Sequence, residues 1–125
     1  MDPDTLMRRL KMLDRYLMDG HDVPTIVHPR AILGETVHLE PGVIVLSGGI
    51  VNSGAHLDRG VIVNTGAIVE HDSRVEAGTH VAPGAILLGD VKVGSCSMIG
   101  AGAVVLPGTS VAAATIVRAG NRYPN

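Results

Sequence analysis

The sequence has no phenylalanine, no tryptophan and two tyrosines among its 125 residues. A domain of this length ordinarily uses large aromatic rings in its core, yet 46% of the residues are hydrophobic. We therefore expect a thin core filled by valine, isoleucine, leucine and alanine. The chain also has 16 glycines, which disfavour helix interiors and predict many sharp turns.

Other absences exclude whole classes of protein. The single cysteine, Cys96, permits no internal disulfide. A net charge of −2, from 10 basic and 12 acidic residues, lacks the basic excess that nucleic-acid binding needs. No apolar run approaches the roughly 20 residues of a membrane span, and the opening MDPDTLMRRLKMLDR has no apolar signal segment. We expect a cytoplasmic protein with neither nucleic-acid partners nor a membrane span.

A six-residue repeat is the main positive signal. Large aliphatic residues recur at every sixth position without a break: Val27, Leu33, Leu39, Val45, Val51, Leu57, Val63, Val69, Val75, Val81, Leu87, Val93, Ile99, Val105, Val111 and Val117. Glycine stands three positions after ten of these residues, and it often follows a proline, as at Pro41–Gly42 and Pro83–Gly84. Proline followed by glycine favours a type II turn, whose third residue needs a positive φ. Each hexad therefore predicts a short strand and a turn.

This repeat resembles the left-handed, triangular-prism β-helix of the hexapeptide acyltransferases. In that fold three hexads make one coil of 18 residues, and coils stack about 4.8 Å apart. The left hand comes from the resemblance, since the general crossover rule favours the right hand. Residues 24–125 are thus expected to form an all-β, left-handed parallel β-helix domain of just over five coils, about 25 Å tall.

Residues 1–23 have a different pattern. Four leucines follow helical spacing: Leu6, Leu10, Leu13 and Leu17. Asp2 can act as the N-cap, Pro3 suits the first helical position, and Gly20 can end the helix. We predict an N-terminal α-helix over residues 3–19 and a short linker. This helix is expected to cap one end of the coil stack, because solenoid ends need cover.

The residue before each repeat aliphatic points outward, since neighbours in a strand alternate sides. Grouped by 18, these residues form two mainly apolar columns and one polar column. The first is Ile26, Ile44, Ile62, His80, Met98 and Ile116; the second is Ile32, Ile50, Ile68, Ile86 and Val104; the third is His38, His56, Arg74, Lys92 and Ser110. Soluble monomers rarely expose two ladders of isoleucine. We predict a homotrimer, in which the first face of one subunit packs on the second face of the next.

His71 and His80 are the candidate reactive residues. Nine residues is half a coil, so the two histidines lie on different edges of one prism but become neighbours across a subunit boundary in the trimer. Gly89, 18 residues after His71, would place its N–H about 5 Å from the His71 backbone. Such a donor can hold the oxyanion of an acyl transfer. Asp72 tolerates the positive φ of its turn, and its carboxylate can orient the imidazole.

The segments NTGAIVEHDSRVEAGTHVAPGAILLGDVKVG and IGAGAVVLPG resemble the β-helix domain of bacterial sugar acetyltransferases, over about residues 24–120. These enzymes acetylate UDP-4-amino-sugars or sialic acid with acetyl-CoA, and they form trimers. The resemblance implies that His71 is the general base and Asp72 its support. It also implies that His80 lines the acetyl-CoA site, that Gly89 donates to the thioester carbonyl, and that Ala101 and Ala119 approach the CoA arm. Family members usually carry an additional N-terminal sugar-nucleotide domain, which leaves the acceptor open.

The resemblance therefore implies an acetyl-CoA-dependent acetyltransferase, without a metal, acting on an amino sugar that is nucleotide-linked. Transfer to a sugar hydroxyl and a non-catalytic trimeric scaffold are the alternatives. The zinc carbonic anhydrases share the fold, but they carry two ligands five residues apart, and the spacings of His38, His56, His71 and His80 do not fit. We expect His38 and His56 to be part of a solvated polar face without a role.

Overall fold

The computed structural model describes all 125 residues and contains one helix followed by seventeen strands of two residues each. Helix α1 spans Pro3–Met18. Strands β1 to β17 are, in chain order, Ile26–Val27, Ile32–Leu33, His38–Leu39, Ile44–Val45, Ile50–Val51, His56–Leu57, Ile62–Val63, Ile68–Val69, Arg74–Val75, His80–Val81, Ile86–Leu87, Lys92–Val93, Met98–Ile99, Val104–Val105, Ser110–Val111, Ile116–Val117 and Arg122–Tyr123.

The strands form three parallel sheets, and each strand pairs with the strand three places further along the chain. The sheets are β1-β4-β7-β10-β13-β16, β2-β5-β8-β11-β14-β17 and β3-β6-β9-β12-β15. Paired residues are one 18-residue coil apart, as His80 and Met98 are. The predicted parallel β-helix is therefore confirmed. We call the outer surfaces of these sheets, in that order, the first apolar face, the second apolar face and the polar face.

The repeat continues one hexad beyond the sixteen found in the sequence. Arg122–Tyr123 forms the last strand and pairs with Val104–Val105. Tyr123 takes the inward position and packs against the core in place of an aliphatic residue. A search restricted to aliphatic residues could not detect this hexad.

The interior is as thin as the composition predicts. The main cluster has 20 buried residues, all of them valine, leucine, isoleucine or alanine. Inward aliphatics of successive coils stack above one another, and small residues four positions later fill the corners. The first coil is less covered, since Val27 and Leu33 remain 37% and 39% exposed.

Positive φ recurs at the third position after each inward aliphatic from Leu33 to Val117. Glycine fills most of these positions, while Thr36, Asp72, Asp90, Cys96 and Ala114 fill the others. The value of +60° at Asp72 agrees with its predicted place in a glycine-like turn. Aspartate is one of the residues that best tolerates this conformation.

The helix begins as the sequence predicts. The Asp2 side chain accepts a hydrogen bond from the Thr5 N–H at 2.8 Å, and Pro3 occupies the first helical position. The helix ends at Met18, and Gly20 follows with φ of +84°. No helix in the chain combines the length and apolar character needed to cross a membrane.

The expectation that the helix caps an end of the stack is wrong. It lies along the side of the prism, over the turns between the polar face and the first apolar face. Leu13 contacts Gly42 and Gly60, and Leu10 contacts Gly78. One helical turn rises 5.4 Å and one coil about 4.8 Å, so successive leucines meet successive coils. Because glycine has no side chain, these positions leave space that the leucine side chains fill.

Polar contacts fix the position of the helix along the coils. Arg59 donates to Asp14 through two nitrogens, at 2.5 and 3.0 Å. This pairing lowers the pKa of the Asp14 carboxyl and raises the pKa of the Arg59 guanidinium. Arg9 donates to the carbonyl of Gly60. Because the Arg59–Asp14 pair is partly exposed, we assign it a role in register more than in stability.

Candidate active site

The turn between β8 and β9 presents His71 and Asp72 at the edge between the second apolar face and the polar face. Their side chains are 63% and 68% exposed. Nδ1 of His71 lies 3.1 Å from Oδ2 of Asp72. A carboxylate in this position favours the tautomer with the proton on Nδ1. Nε2 then keeps its lone pair and is free to accept a proton.

Gly89 lies one coil further along, directly beside this imidazole. A Cβ built on Gly89 would stand 2.5 Å from Nε2 of His71 and 2.7 Å from Cε1. A side chain at residue 89 would clash with the imidazole of His71, so glycine at this position leaves room for the ring. The Gly89 N–H has no hydrogen-bond partner in the chain, whereas the next amide, that of Asp90, donates to the His71 carbonyl at 3.0 Å. A basic nitrogen and an unused amide donor therefore lie together.

His80 has the opposite surroundings, on strand β10 of the first apolar face. Its side chain is buried, and the residue is 7% exposed. Nε2 lies 3.0 Å from Nδ2 of Asn64. The Asn64 oxygen accepts from both the N–H and the hydroxyl of Thr65, which directs the Asn64 amide nitrogen towards His80. Nε2 of His80 must then accept, and the proton resides on Nδ1.

Nδ1 of His80 is buried and has no hydrogen-bond partner. Burial lowers the pKa of His80, and the positive charges of the N-terminal amine and Arg9 lower this pKa further. His80 is therefore neutral at pH 7 and has one N–H without an acceptor. An unpaired buried donor is costly.

His80 lines a groove of about 680 Å³ between the N-terminus of α1 and the first apolar face. Ala101 and Ala119, the other two residues predicted beside the CoA arm, line the same groove. Both lie in turns on successive coils, and their small side chains keep the groove open. Arg118 adds a positive charge to the wall, and Met1, Asp2 and Thr5 of the helical segment form the opposite side.

The structure thus collects the predicted site residues into two groups. His71, Asp72 and Gly89 form one group at a prism edge; His80, Ala101 and Ala119 form the other in the groove. The two groups occupy different parts of one chain. Their roles in chemistry stay predictions, and so does the contact between them across a subunit boundary.

Sequence reasoning missed two contributors to the groove. Asn64 lies 16 residues before His80, which is two residues less than one coil. This spacing makes Asn64 a diagonal neighbour of His80 on the same face. The helical segment around Asp2 was missed because the helix was expected at an end of the stack. Counting residues per coil could have found Asn64. The leucine spacing of the helix, in contrast, does not indicate which coils the helix contacts.

Comparison with known proteins agrees with this architecture. Residues 72–107 match the family described as bacterial transferase hexapeptide, six repeats. No curated protein sequence gives a significant match. Among solved structures, the acetyltransferase domain of PglB from Neisseria gonorrhoeae is similar with a TM-score of 0.92 and 32% identity, covering 94% of this chain and 57% of that one. The same domain is also known in complex with acetyl coenzyme A.

PerB from Caulobacter crescentus, in complex with CoA and GDP-perosamine, is also similar. Its TM-score is 0.86 at 38% identity, and the match covers 90% of this chain and 55% of that one. The chain therefore spans less than two thirds of either matched protein. Residues 72–107 carry the bacterial transferase hexapeptide repeat, and over nearly its whole length the chain is similar to the acetyltransferase domain of PglB and to the perosamine N-acetyltransferase of Caulobacter crescentus.

Proposed function

We propose that the chain transfers an acetyl group from acetyl-CoA to the amine of a nucleotide-linked amino sugar, with His71 as the general base. One observation carries the proposal: Nε2 of His71 lies against Gly89, whose N–H has no partner in the chain. An acyl transfer needs a base and an oxyanion donor on the same reacting centre. The similar PglB domain is known in complex with acetyl-CoA, and PerB is known in complex with CoA and GDP-perosamine.

The chemical step follows from the positions of these groups. The amine nitrogen attacks the thioester carbonyl carbon, and Nε2 of His71 removes the amine proton. Asp72 accepts from Nδ1 of His71 and stabilises the imidazolium that forms. The carbonyl oxygen becomes an oxyanion and accepts from the Gly89 N–H. When the tetrahedral intermediate collapses, the carbon–sulfur bond breaks, the His71 imidazolium gives its proton to the sulfur, and CoA leaves as the thiol.

The groove is the proposed acetyl-CoA site. The Nδ1–H of His80 is buried, so His80 would donate to an acceptor on CoA only after CoA binding opens the groove beside this atom. This contact would then satisfy the donor. Ala101 and Ala119 leave room for a narrow arm to lie against the backbone. Arg118 supplies a positive charge for the CoA phosphates.

A trimer would join the two groups of residues. Ile26, Ile32 and Ile116 remain 55%, 61% and 54% exposed on the two apolar faces, which is unusual for a soluble monomer. Packing the first face of one subunit on the second face of its neighbour covers both ladders. It also brings the His71 edge of one chain to the His80 groove of the next.

The test is a panel of nucleotide-linked amino sugars with acetyl-CoA, in which released CoA thiol is measured with a thiol reagent. Cys96 is the only thiol of the chain and is 1% exposed, and burial raises the pKa of its thiol, so background labelling should be low. We expect thiol release that depends on an amino-sugar acceptor. A matched panel of hydroxyl-bearing sugars distinguishes transfer to oxygen from transfer to nitrogen.

Two further measurements separate an enzyme from a scaffold. Calorimetry with CoA should show binding, and sedimentation should give the mass of three chains. A chain that binds no CoA and acetylates no acceptor would be a scaffold, and the proposed activity would be wrong. If the chain were a stable monomer, the site shared between subunits would not form, although the chain could still bind CoA.

A further inference from the structure

A cluster of histidines and carboxylates lies on the polar face, on the side of the prism that carries neither candidate group. His38 and Glu40 come from the first coil, and His56 and Asp58 come from the second. The pairs share a pattern, histidine–leucine–acid, exactly one coil of 18 residues apart. Because β3 pairs with β6 in register, His38 stands beside His56, and their ring centroids are 4.4 Å apart.

The ligating atoms of His38, Glu40 and His56 lie close together, and Asp58 lies beside His56. Nε2 of His38 lies 2.9 Å from Oε1 of Glu40. The same carboxylate oxygen lies 3.5 Å from Nε2 of His56. Nε2 of His56 also lies 3.0 Å from Oδ1 of Asp58. The ligating atoms of His38, Glu40 and His56 all lie within 4.8 Å of one another.

His56 provides a second, independent observation. Its Nε2 is buried and makes no hydrogen bond of acceptable geometry, although two carboxylate oxygens lie within 3.5 Å. A buried nitrogen without a partner is costly. A cation bound at the centre of the cluster would satisfy Nε2 together with both carboxylates.

The distances suit a first-row divalent ion. Zinc binds imidazole nitrogen at about 2.0–2.1 Å and carboxylate oxygen at about 2.0–2.2 Å in a tetrahedral arrangement, so its ligand atoms lie about 3.3 Å apart. The distances of 2.9, 3.5 and 3.0 Å in the cluster bracket that value. Two imidazoles with two carboxylates favour zinc or a similar ion over magnesium or calcium, which prefer oxygen ligands.

We propose that His38, Glu40 and His56 form a binding site for one divalent transition-metal ion such as Zn²⁺, and that the Asp58 carboxylate beside His56 turns to supply the fourth ligand. The site lies within one chain and links the first coil to the second. It takes no part in the acetyl transfer proposed above and does not depend on that activity. Asp58 also accepts from Arg74 at 3.2 Å, so metal binding would compete with this contact or share the carboxylate.

The expected consequence is stabilisation of the first coil. This coil is the least covered part of the β-helix, with its inward Val27 and Leu33 partly exposed. An ion that binds the folded chain and not the unfolded one stabilises the fold, and the stabilisation grows with the logarithm of the ion concentration over its dissociation constant. The sequence led us to expect no role for His38 and His56, and the convergence of their ligating atoms with two acids changes that expectation.

The test is a titration of the chelator-treated chain with Zn²⁺ and with Co²⁺. We expect one ion per chain and, for Co²⁺, the intense visible absorption of a tetrahedral complex. The melting temperature should rise with added Zn²⁺ and return to its starting value with chelator. His38→Gln and His56→Gln should each weaken Zn²⁺ binding at least tenfold and abolish the rise in melting temperature.

His28→Gln is the matched control, because His28 lies outside the cluster and makes only a local contact with the Arg30 N–H. It should bind Zn²⁺ as the unmodified chain does. Equal affinities for His56→Gln and His28→Gln would overturn the proposal, and so would the absence of any bound ion. Circular dichroism of each variant shows whether it is folded, and a folded His56→Gln variant that keeps the Co²⁺ spectrum would also overturn it.

Discussion

His71 and His80 are nine residues apart in one repeat, yet the fold gives them opposite surroundings. His71 stands exposed on a turn, with an aspartate at Nδ1 and its other nitrogen free. His80 is buried on a strand, with an asparagine at Nε2 and its Nδ1 unpaired. The first arrangement suits a group that gains and loses a proton, and the second suits a neutral, fixed donor.

The comparison shows how a regular scaffold gives two side chains of the same type different surroundings. The backbone is almost identical in every hexad, so position within the hexad decides exposure, and a residue on the neighbouring coil decides the partner. At His71 the neighbouring coil supplies Gly89 and leaves space; at His80 it supplies Asn64 and removes freedom. Chemical roles therefore depend on two positions on neighbouring coils more than on local sequence.

Loss of the exposed histidine should have the largest effect. His71→Ala is expected to lower kcat for acetyl transfer by about 10²–10⁴-fold, the usual contribution of a general base. Since the side chain is 63% exposed, the fold, the sedimentation mass and the CoA affinity should not change. His21→Ala, at an exposed histidine outside both groups, should keep full activity. Wild-type turnover in folded His71→Ala would remove this residue from the mechanism.

Mixed trimers test whether the two histidines act across a boundary. His71→Ala and His80→Ala chains should each be impaired alone. After equal amounts are unfolded and refolded together, about a quarter of the sites would combine an intact His71 from one chain with an intact His80 from the next. Activity should recover towards a quarter of the unmodified level. If both histidines acted within one chain, no site in the mixture would be intact, and activity would stay at the level of the single variants.

A methyl group at Gly89 should disturb His71 through contact alone. The Cβ would lie 2.5 Å from Nε2, so the imidazole must move, and a displacement of about 1 Å can cost around 10²-fold in rate. We expect Gly89→Ala to lower kcat by that order, with little change in melting temperature. A double-mutant cycle checks the cause: in a His71→Ala background the added methyl should have little further effect. Additive losses would mean that Gly89 acts independently of His71.

The sequence predicts the fold well because its repeat is strict. The unbroken aliphatic period determines which residues face inward, and steps of 18 place His71 beside Gly89 and His38 beside His56. The position of helix α1 was not predictable in this way, because a stripe of leucines shows which side of a helix is apolar and not which surface it covers. The cluster on the polar face was missed because only one outward residue per hexad was compared. Glu40 and Asp58, two residues after each histidine, were left out.

The smallest expected effect is on the free energy of unfolding at acid pH, and it comes from the buried His80. Burial, the N-terminal amine and Arg9 all lower the pKa of His80 below its ordinary value of 6.5; Asp2, also on the groove, is the nearby acid. The unfolded chain therefore binds more protons than the folded chain between the lowered pKa and 6.5, and the free energy of unfolding must rise with pH across that interval. The folded state loses this stability as the pH falls below about 6.5.

His80→Leu removes the titrating group and restores the apolar ladder of the first face. Urea unfolding of both chains from pH 7.5 to pH 5 should show a shallower pH dependence for His80→Leu. His28→Gln, which replaces an exposed histidine outside the groove, is the matched control. The difference in slope between the two variants is the deciding quantity. Parallel curves for His80→Leu and the unmodified chain would mean that His80 is not held neutral, and the contrast with His71 would then rest on exposure only.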